Sequence, residues 1–168
     1  LMPPFVGRLP DEDIRALAKM IKNEPVVERS WDMDQIRASV KVLVDESTLP
    51  GKPNYEIDSV YDLMVIMARG RYGRGDGSNQ ARAVFINGKN NQKVGEIATV
   101  GAPHIMEFSP SHERWGYLKS DDGHVYKIDL YTLQIVRQAK VGLTGTGIAL
   151  SKDGKWLALS SFVPNSMV

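Results

Sequence analysis

Phe108-Ser109-Pro110 followed by Trp115 returns as Leu150-Ser151-Lys152 followed by Trp156. Ile86-Asn87 with Gln92 and Val94 returns as Ile128-Asp129 with Gln134 and Val136, and Val100-Gly101 returns as Val141-Gly142. Every pair is separated by 41 or 42 residues. Between these marks lie short apolar runs divided by turn pairs such as Asn87-Gly88, Asp122-Gly123 and Asp153-Gly154. No helical periodicity interrupts them. A four-stranded unit recurring every ~40–45 residues is the signature of a β-propeller blade, because one such unit cannot bury its apolar face alone. The spacing predicts strands over 63–69, 83–87, 93–100, 104–108, 115–119, 124–129, 134–141, 146–150, 155–161 and from 166. The fold class is therefore mainly β, a partial propeller of about two and a half blades over 61–168.

Outward from the repeat, the N-terminal third has another character. Asp11, Glu12 and Asp13 crowd the start of a helix whose Ile14, Leu17, Ala18 and Ile21 form one apolar stripe, with Lys19 and Lys22 near its end. Residues 24–30 read as an extended linker. Asp32 and Gln35 have capping-box spacing ahead of a second short helix bearing Ile36 and Val40. Lys41-Val42-Leu43-Val44 reads as a short strand, and 45–60 as loop.

Lys+Arg total 21 against 20 Asp+Glu, too even for a nucleic-acid-binding face. The basic run Arg69-Gly70-Arg71-Tyr72-Gly73-Arg74 is short and Gly-rich, as a hairpin loop would be. No apolar stretch is long enough to span a membrane. The absence of cysteine excludes thiol catalysis, disulfides and thiolate metal sites within these residues. No Ser-His-Asp spacing, paired metal-binding histidines or phosphate-binding loop occurs.

Propeller ligands bind near the axis, beside the loops that lead into the innermost strands. Gly101-Ala102-Pro103-His104-Ile105 is such a loop, and Gly142-Leu143-Thr144-Gly145-Thr146 is its counterpart one blade later. His104 is thus placed near the axis. On the residues alone it reads either as a haem-iron ligand or as a histidine bonded to a neighbouring loop. His112, in a polar turn, reads as solvated, and His124, after a glycine turn, as structural. Met2, in Leu1-Met2-Pro3-Pro4-Phe5-Val6-Gly7, reads on the residues alone as a terminal residue ahead of an ordinary amphipathic helix.

Taken together, these segments resemble the cytochrome cd1 nitrite reductase family and its haem d1-binding propeller relatives. Met2-Pro3 and the 11–21 helix resemble the methionine loop and last helix of a c-type cytochrome domain. The run from Trp31 to Val42 is similar to the interdomain segment. Leu63-Met64-Val65-Ile66-Met67-Ala68-Arg69 resembles the first inner strand, and Pro103-His104-Ile105 the segment with the proximal haem d1 histidine. The run from Tyr126 to Gln134 is similar to propellers that act in haem d1 biosynthesis.

The resemblance implies an eight-bladed propeller preceded by a short α-helical remnant of a cytochrome c domain. Its divisions are 1–23 for the end of that domain, 24–60 for an interdomain linker with a short helix, and 61–168 for the first blades. It implies haem c ligated by Met2, with its attachment cysteines outside this chain, and haem d1 ligated by His104 with Arg69 near its carboxylates. A longer parent protein is expected, with this segment inactive alone. The implied activity is an oxidoreductase one, electron transfer from haem c to haem d1 and reduction of nitrite to nitric oxide. The alternatives are a haem d1 biosynthesis dehydrogenase or carrier, and a cofactor-free interaction propeller. Implied partners are nitrite or a related nitrogen oxide and a soluble cytochrome or cupredoxin donor. A periplasmic setting follows from the family, and a homodimer is one assembly it allows. The chain departs from the pattern at Thr146, where the family often has Arg, and at 70–80, which read as an insertion. The catalytic residues of the reductases belong to later blades.

Overall fold

The computed structural model describes residues 9–23, 30–70, 80–145 and 147–168. Helix α1 (Asp11–Asn23) has its three acids in the first turn and Lys22 in the last, each opposing the helix dipole. Its apolar stripe buries no residue, and Ile21 is 73% exposed. Helix α2 (Met33–Ser39) begins with the expected capping box. The Asp32 carboxylate accepts from the Gln35 amide at 2.8 Å, and the Gln35 side chain accepts from the Asp32 amide at 2.9 Å.

The strands follow as β1 (Lys41–Val42), β2 (Leu63–Ala68), β3 (Arg82–Asn87), β4 (Gln92–Ala98), β5 (Pro103–Phe108), β6 (Trp115–Ser120), β7 (His124–Asp129), β8 (Gln134–Lys140), β9 (Ile148–Leu150), β10 (Leu157–Ser161) and β11 (Ser166–Met167). They form three antiparallel sheets. The first blade is β2-β3-β4, the second β5-β6-β7-β8, and the third β9-β10-β11. Strand β5 approaches both β2 and β9, so successive blades sit side by side.

The sequence repeat is repeated in backbone detail. The β3–β4 pair is bulged at Phe85/Ile86, and the β7–β8 pair at Lys127/Ile128. The turns that follow each carry one left-handed residue, Asn91 at φ 58° and Leu133 at φ 53°. The Gly88 amide donates to the Asp62 carbonyl and the Leu130 amide to the Arg114 carbonyl, each at 2.8 Å. Hairpins close alike in the second and third blades, where Ser109 donates to the Trp115 carbonyl and Ser151 to the Trp156 carbonyl, each at 2.9 Å.

This register corrects one expectation. Leu63 pairs with Asn87 as Trp115 pairs with Asp129, so β2 corresponds to β6, the second strand of its blade. The Leu63–Arg69 stretch is not the first inner strand. Residues 31–55 run along the outer side of the second blade instead. Strand β1 adds antiparallel to β8 as a fifth strand, with Lys41 opposite Gln138. Leu43 donates to the Val136 carbonyl at 2.9 Å, and Trp31 Nε1 to the Lys140 carbonyl at 2.9 Å. Further on, Tyr55 Oη reaches the Leu130 carbonyl at 2.5 Å.

Glu46 fastens this strap. It accepts from Lys127 Nζ at 2.7 Å and from Arg137 Nε at 2.8 Å. The Lys127 hydrogen bond, outweighing burial, holds its carboxyl below the ordinary value of 4.5. A carboxylate with a lowered folded-state pKa contributes stability above its unfolded value, and loses it as pH falls through the folded one. Below about pH 4.5 the strap should loosen, lowering the protection of the Leu43 amide, taken relative to its intrinsic exchange rate at each pH, about two- to fivefold. Glu46→Gln should lower that protection already at neutral pH and remove its further loss in acid.

Two apolar clusters lie between blades. Ala83, Phe85 and Ile97 of the first blade meet Leu118, Tyr126 and Ile128 of the second. Val125, with Ile105 and Tyr117, meets Ile148 and Leu159 of the third. Phe85 and Leu118 are fully buried, and truncating an aromatic so placed costs about 3–5 kcal/mol. No helix among the described residues is long and apolar enough to cross a membrane.

Candidate functional site

The site is built at the end of the blades where β2 finishes and β5 begins. Pro103 pairs with Ser120 and Ile105 with Lys119, which leaves His104 as the extra residue of a bulge on the inner strand. Bulges re-aim a side chain without ending the strand, and they gather beside active sites. The His104 side chain is exposed, and among the described residues no hydrogen bond or ion pair engages its ring. The β5 ladder therefore does not depend on it.

The turn Asp121-Asp122-Gly123 organises the surroundings. The Asp121 amide donates to the Ala102 carbonyl at 3.0 Å, fixing the loop that leads into His104. The Asp121 carbonyl accepts from Gly145 at 2.9 Å, fixing the corresponding loop of the third blade. The Asp121 carboxylate accepts from Arg69 Nη2 at 3.2 Å, which brings the end of β2 to the same place. Gly123 adopts φ +85°, and a Cβ there would overlap the Gly142 carbonyl, so only glycine lets the two loops approach this closely. Arg69 keeps 56% of its side chain exposed, enough for its guanidinium to meet an incoming carboxylate.

His124 and Asp122 form a second pair beside the turn, with Nδ1 to Oδ2 at 2.8 Å. Burial pushes the Asp122 carboxyl up, but hydrogen bonds from the His124 ring and amide outweigh it and hold the group below its ordinary value. The His124 ring stacks on Tyr126 with centroids 6.0 Å apart, the structural place expected of it. His112 is exposed, and its Nδ1 accepts from the Arg114 amide at 3.3 Å.

Sequence reasoning missed Lys119. Its side chain is fully buried on β6, and its Nζ donates to the Ser160 and Gly147 carbonyls of the third blade. Burial pushes its amine below the ordinary lysine value. It also missed Asp121 as a hub, although the Asp122-Gly123 turn signal marked the spot. Met2, Thr146 and residues 71–79 lie outside the described residues.

The residues present fit an iron macrocycle. One unengaged imidazole stands at the inner strand, and the Arg69 guanidinium rests on the Asp121 turn that also fixes the loop leading into His104. Among the described residues no three His, Asp or Glu side chains converge as a protein-only metal site would require.

Comparison with known proteins agrees with this geometry. Along 168 residues, 99% of its length, the chain is 29% identical to dihydro-heme d1 dehydrogenase of Pseudomonas aeruginosa and covers 32% of that protein. A solved structure, dihydro-heme d1 dehydrogenase NirN in complex with DHE, superposes with a TM-score of 0.74 at 29% identity, over 99% of this chain and 34% of that one. The chain thus spans about a third of the length of these relatives. Residues 74–168 match the family model described as the cytochrome D1 heme domain, and the chain belongs to that family.

Proposed function

We propose that this chain is part of a haem d1-binding propeller acting in haem d1 assembly, as a dehydrogenase of dihydro-haem d1 or a carrier of the cofactor. The observation that carries this reading is the likeness to dihydro-heme d1 dehydrogenase along nearly the whole chain. It favours assembly over the reduction of nitrite to nitric oxide. In this reading His104 would ligate the haem d1 iron, and Arg69 would pair with the macrocycle's carboxylates. Bound there, the group supplies redox chemistry on its ring and iron. The bulge aims the imidazole, and the Asp121 turn sets the spacing between His104, Arg69 and the third blade.

Met2 is proposed as the thioether ligand of a haem c, with residues 1–23 as the end of its domain, 24–60 as the connection and 61–168 as the first blades. A periplasmic setting, a soluble cytochrome or cupredoxin as electron partner, and a homodimeric assembly belong to the same proposal. The test uses the full-length protein loaded with dihydro-haem d1 under an electron acceptor. Conversion to the haem d1 spectrum is expected. A reduced protein that is reoxidised catalytically by nitrite, with no such conversion, would overturn the reading.

A further inference from the structure

We propose that Tyr126 is a positioning residue for His104: its hydroxyl holds the loop 99–103 from the core side and so sets where the imidazole stands. The inference rests on the reading of His104 as the haem d1 ligand and deepens it.

The direction of the His104 side chain is left to its backbone. It is the extra residue of the bulge, and among the described residues no hydrogen bond or ion pair engages its ring. From Ile105 onward the strand is fixed by its ladder to β6. On the other side stands Pro103, which has no amide proton to donate, and before it the loop. The Thr99 amide ties that loop to the Ala81 carbonyl at 3.0 Å, and Thr99 Oγ1 donates to the Gly101 carbonyl at 2.7 Å. The Ala102 carbonyl accepts from the Asp121 amide at 3.0 Å. Between these points the Val100 amide donates to Tyr126 Oη at 3.1 Å. Of these ties, this one alone uses a side chain from outside the loop.

Tyr126 is placed to hold that point still. It is 1% exposed, and its ring lies in the cluster between the first and second blades. The His124 ring stacks on it, and His124 is itself held by Asp122. The Asp122 carboxylate lies against Gly101, where a Cβ would overlap it. The hairpin from Lys119 to Tyr126 thus meets Val100, Gly101 and Ala102 in turn. Burial pushes the Tyr126 phenol above the ordinary tyrosine value, so the hydroxyl stays neutral and brings no charge beside the loop.

The repeat shows that this hydroxyl is no part of the shared blade plan. Ile66 pairs with Val84 in the first blade, and Leu118 with Tyr126 in the second. In the third, Leu159 and Val168 exchange backbone bonds at 2.8 and 3.0 Å. Valine, tyrosine and valine therefore hold one position. An apolar side chain satisfies the plan, and the phenol is an addition in the blade that carries His104.

A double-mutant cycle in the full-length protein tests this, read as haem d1 affinity from absorbance titration of the apoprotein. Tyr126→Phe keeps the ring in its core and removes only the hydroxyl. It should weaken binding about tenfold, the low end for a residue that acts on a metal ligand without touching the metal. In the His104→Ala background the same substitution should change affinity by less than about twofold, because the side chain it positions is gone. In the haem-free protein, the Val100 amide of the Tyr126→Phe variant should lose about tenfold of its protection from hydrogen exchange. Parental affinity in Tyr126→Phe would overturn the inference alone. So would a loss that persists undiminished in the His104→Ala background, which would make Tyr126 a core residue and nothing more. Parental affinity in His104→Ala itself would overturn the reading of His104 as ligand, and this inference with it.

Discussion

His104→Ala in the full-length protein is expected to weaken haem d1 binding by about 100-fold or more, since loss of even an outer-shell partner of a metal ligand costs about 10–100-fold. Titration of the apoprotein with haem d1, followed by absorbance, reads this directly. The fold should be indifferent. His104 is the unpaired residue of the bulge, and the pairs on either side, Pro103 with Ser120 and Ile105 with Lys119, do not involve its side chain. Its exposed ring gives up no buried contact, so stability should stay within about 0.5 kcal/mol of the parent. Imidazole added to the solution should restore part of the bound spectrum by entering the vacated position. A variant that retains the parental haem d1 spectrum and affinity removes His104 as the ligand.

The second large effect is on stability. Asp129 is fully buried and accepts from Arg114 Nε at 2.7 Å, Arg114 Nη2 at 3.2 Å, Thr132 Oγ1 at 2.7 Å and the Tyr131 amide at 3.2 Å. Asp129→Ala leaves a mostly buried guanidinium without its counter-charge and should cost about 3–5 kcal/mol, read as a fall in the urea midpoint. The repeat supplies a milder comparison. Its counterpart Asn87 caps the Lys89 amide at 3.0 Å. Asp129→Asn should therefore keep the turn but not the charge pair, losing less than Asp129→Ala. Arg114→Ala in the Asp129→Ala background should restore part of the loss, because the stranded charge is then gone. If Asp129→Ala is nearly neutral, the pair is not holding the blade.

Much of the architecture was legible because blades are built from short strands with strong turn chemistry. The Asp122-Gly123 turn and the recurring Trp115 and Trp156 located β6, β7 and β10 directly. The order of strands within the first blade was hidden by chain length. The loop between β2 and β3 is longer than that between β6 and β7, so the constant offset breaks there and β2 reads as an inner strand. The attachment of β1 was hidden for a different reason. It rests on backbone bonds to β8, and its two side chains are exposed, so no alternation records it. Lys119 was illegible because its partners are carbonyls of another blade, and a lysine between Leu118 and Ser120 looks like any surface lysine. His104 could be placed by its position in the repeat and by resemblance. The bulge that singles it out emerges only from pairing.

Gly95 and Arg137 occupy the same position of the repeat, each next to the bulged residue of its own strand, Val94 and Val136. Leu133 of the second blade lies against Gly95, where a Cβ would collide with it or force it to move. Arg137 reaches out to Glu46. Glycine at 137 would forfeit the strap, and arginine at 95 would displace Leu133. Blades that share one backbone plan are thus distinct parts, each keyed to its own neighbour. Shuffling or transplanting one into another's place would break contacts that the shared backbone cannot restore, so the sequence of blades around the axis is itself specified by these small departures from symmetry.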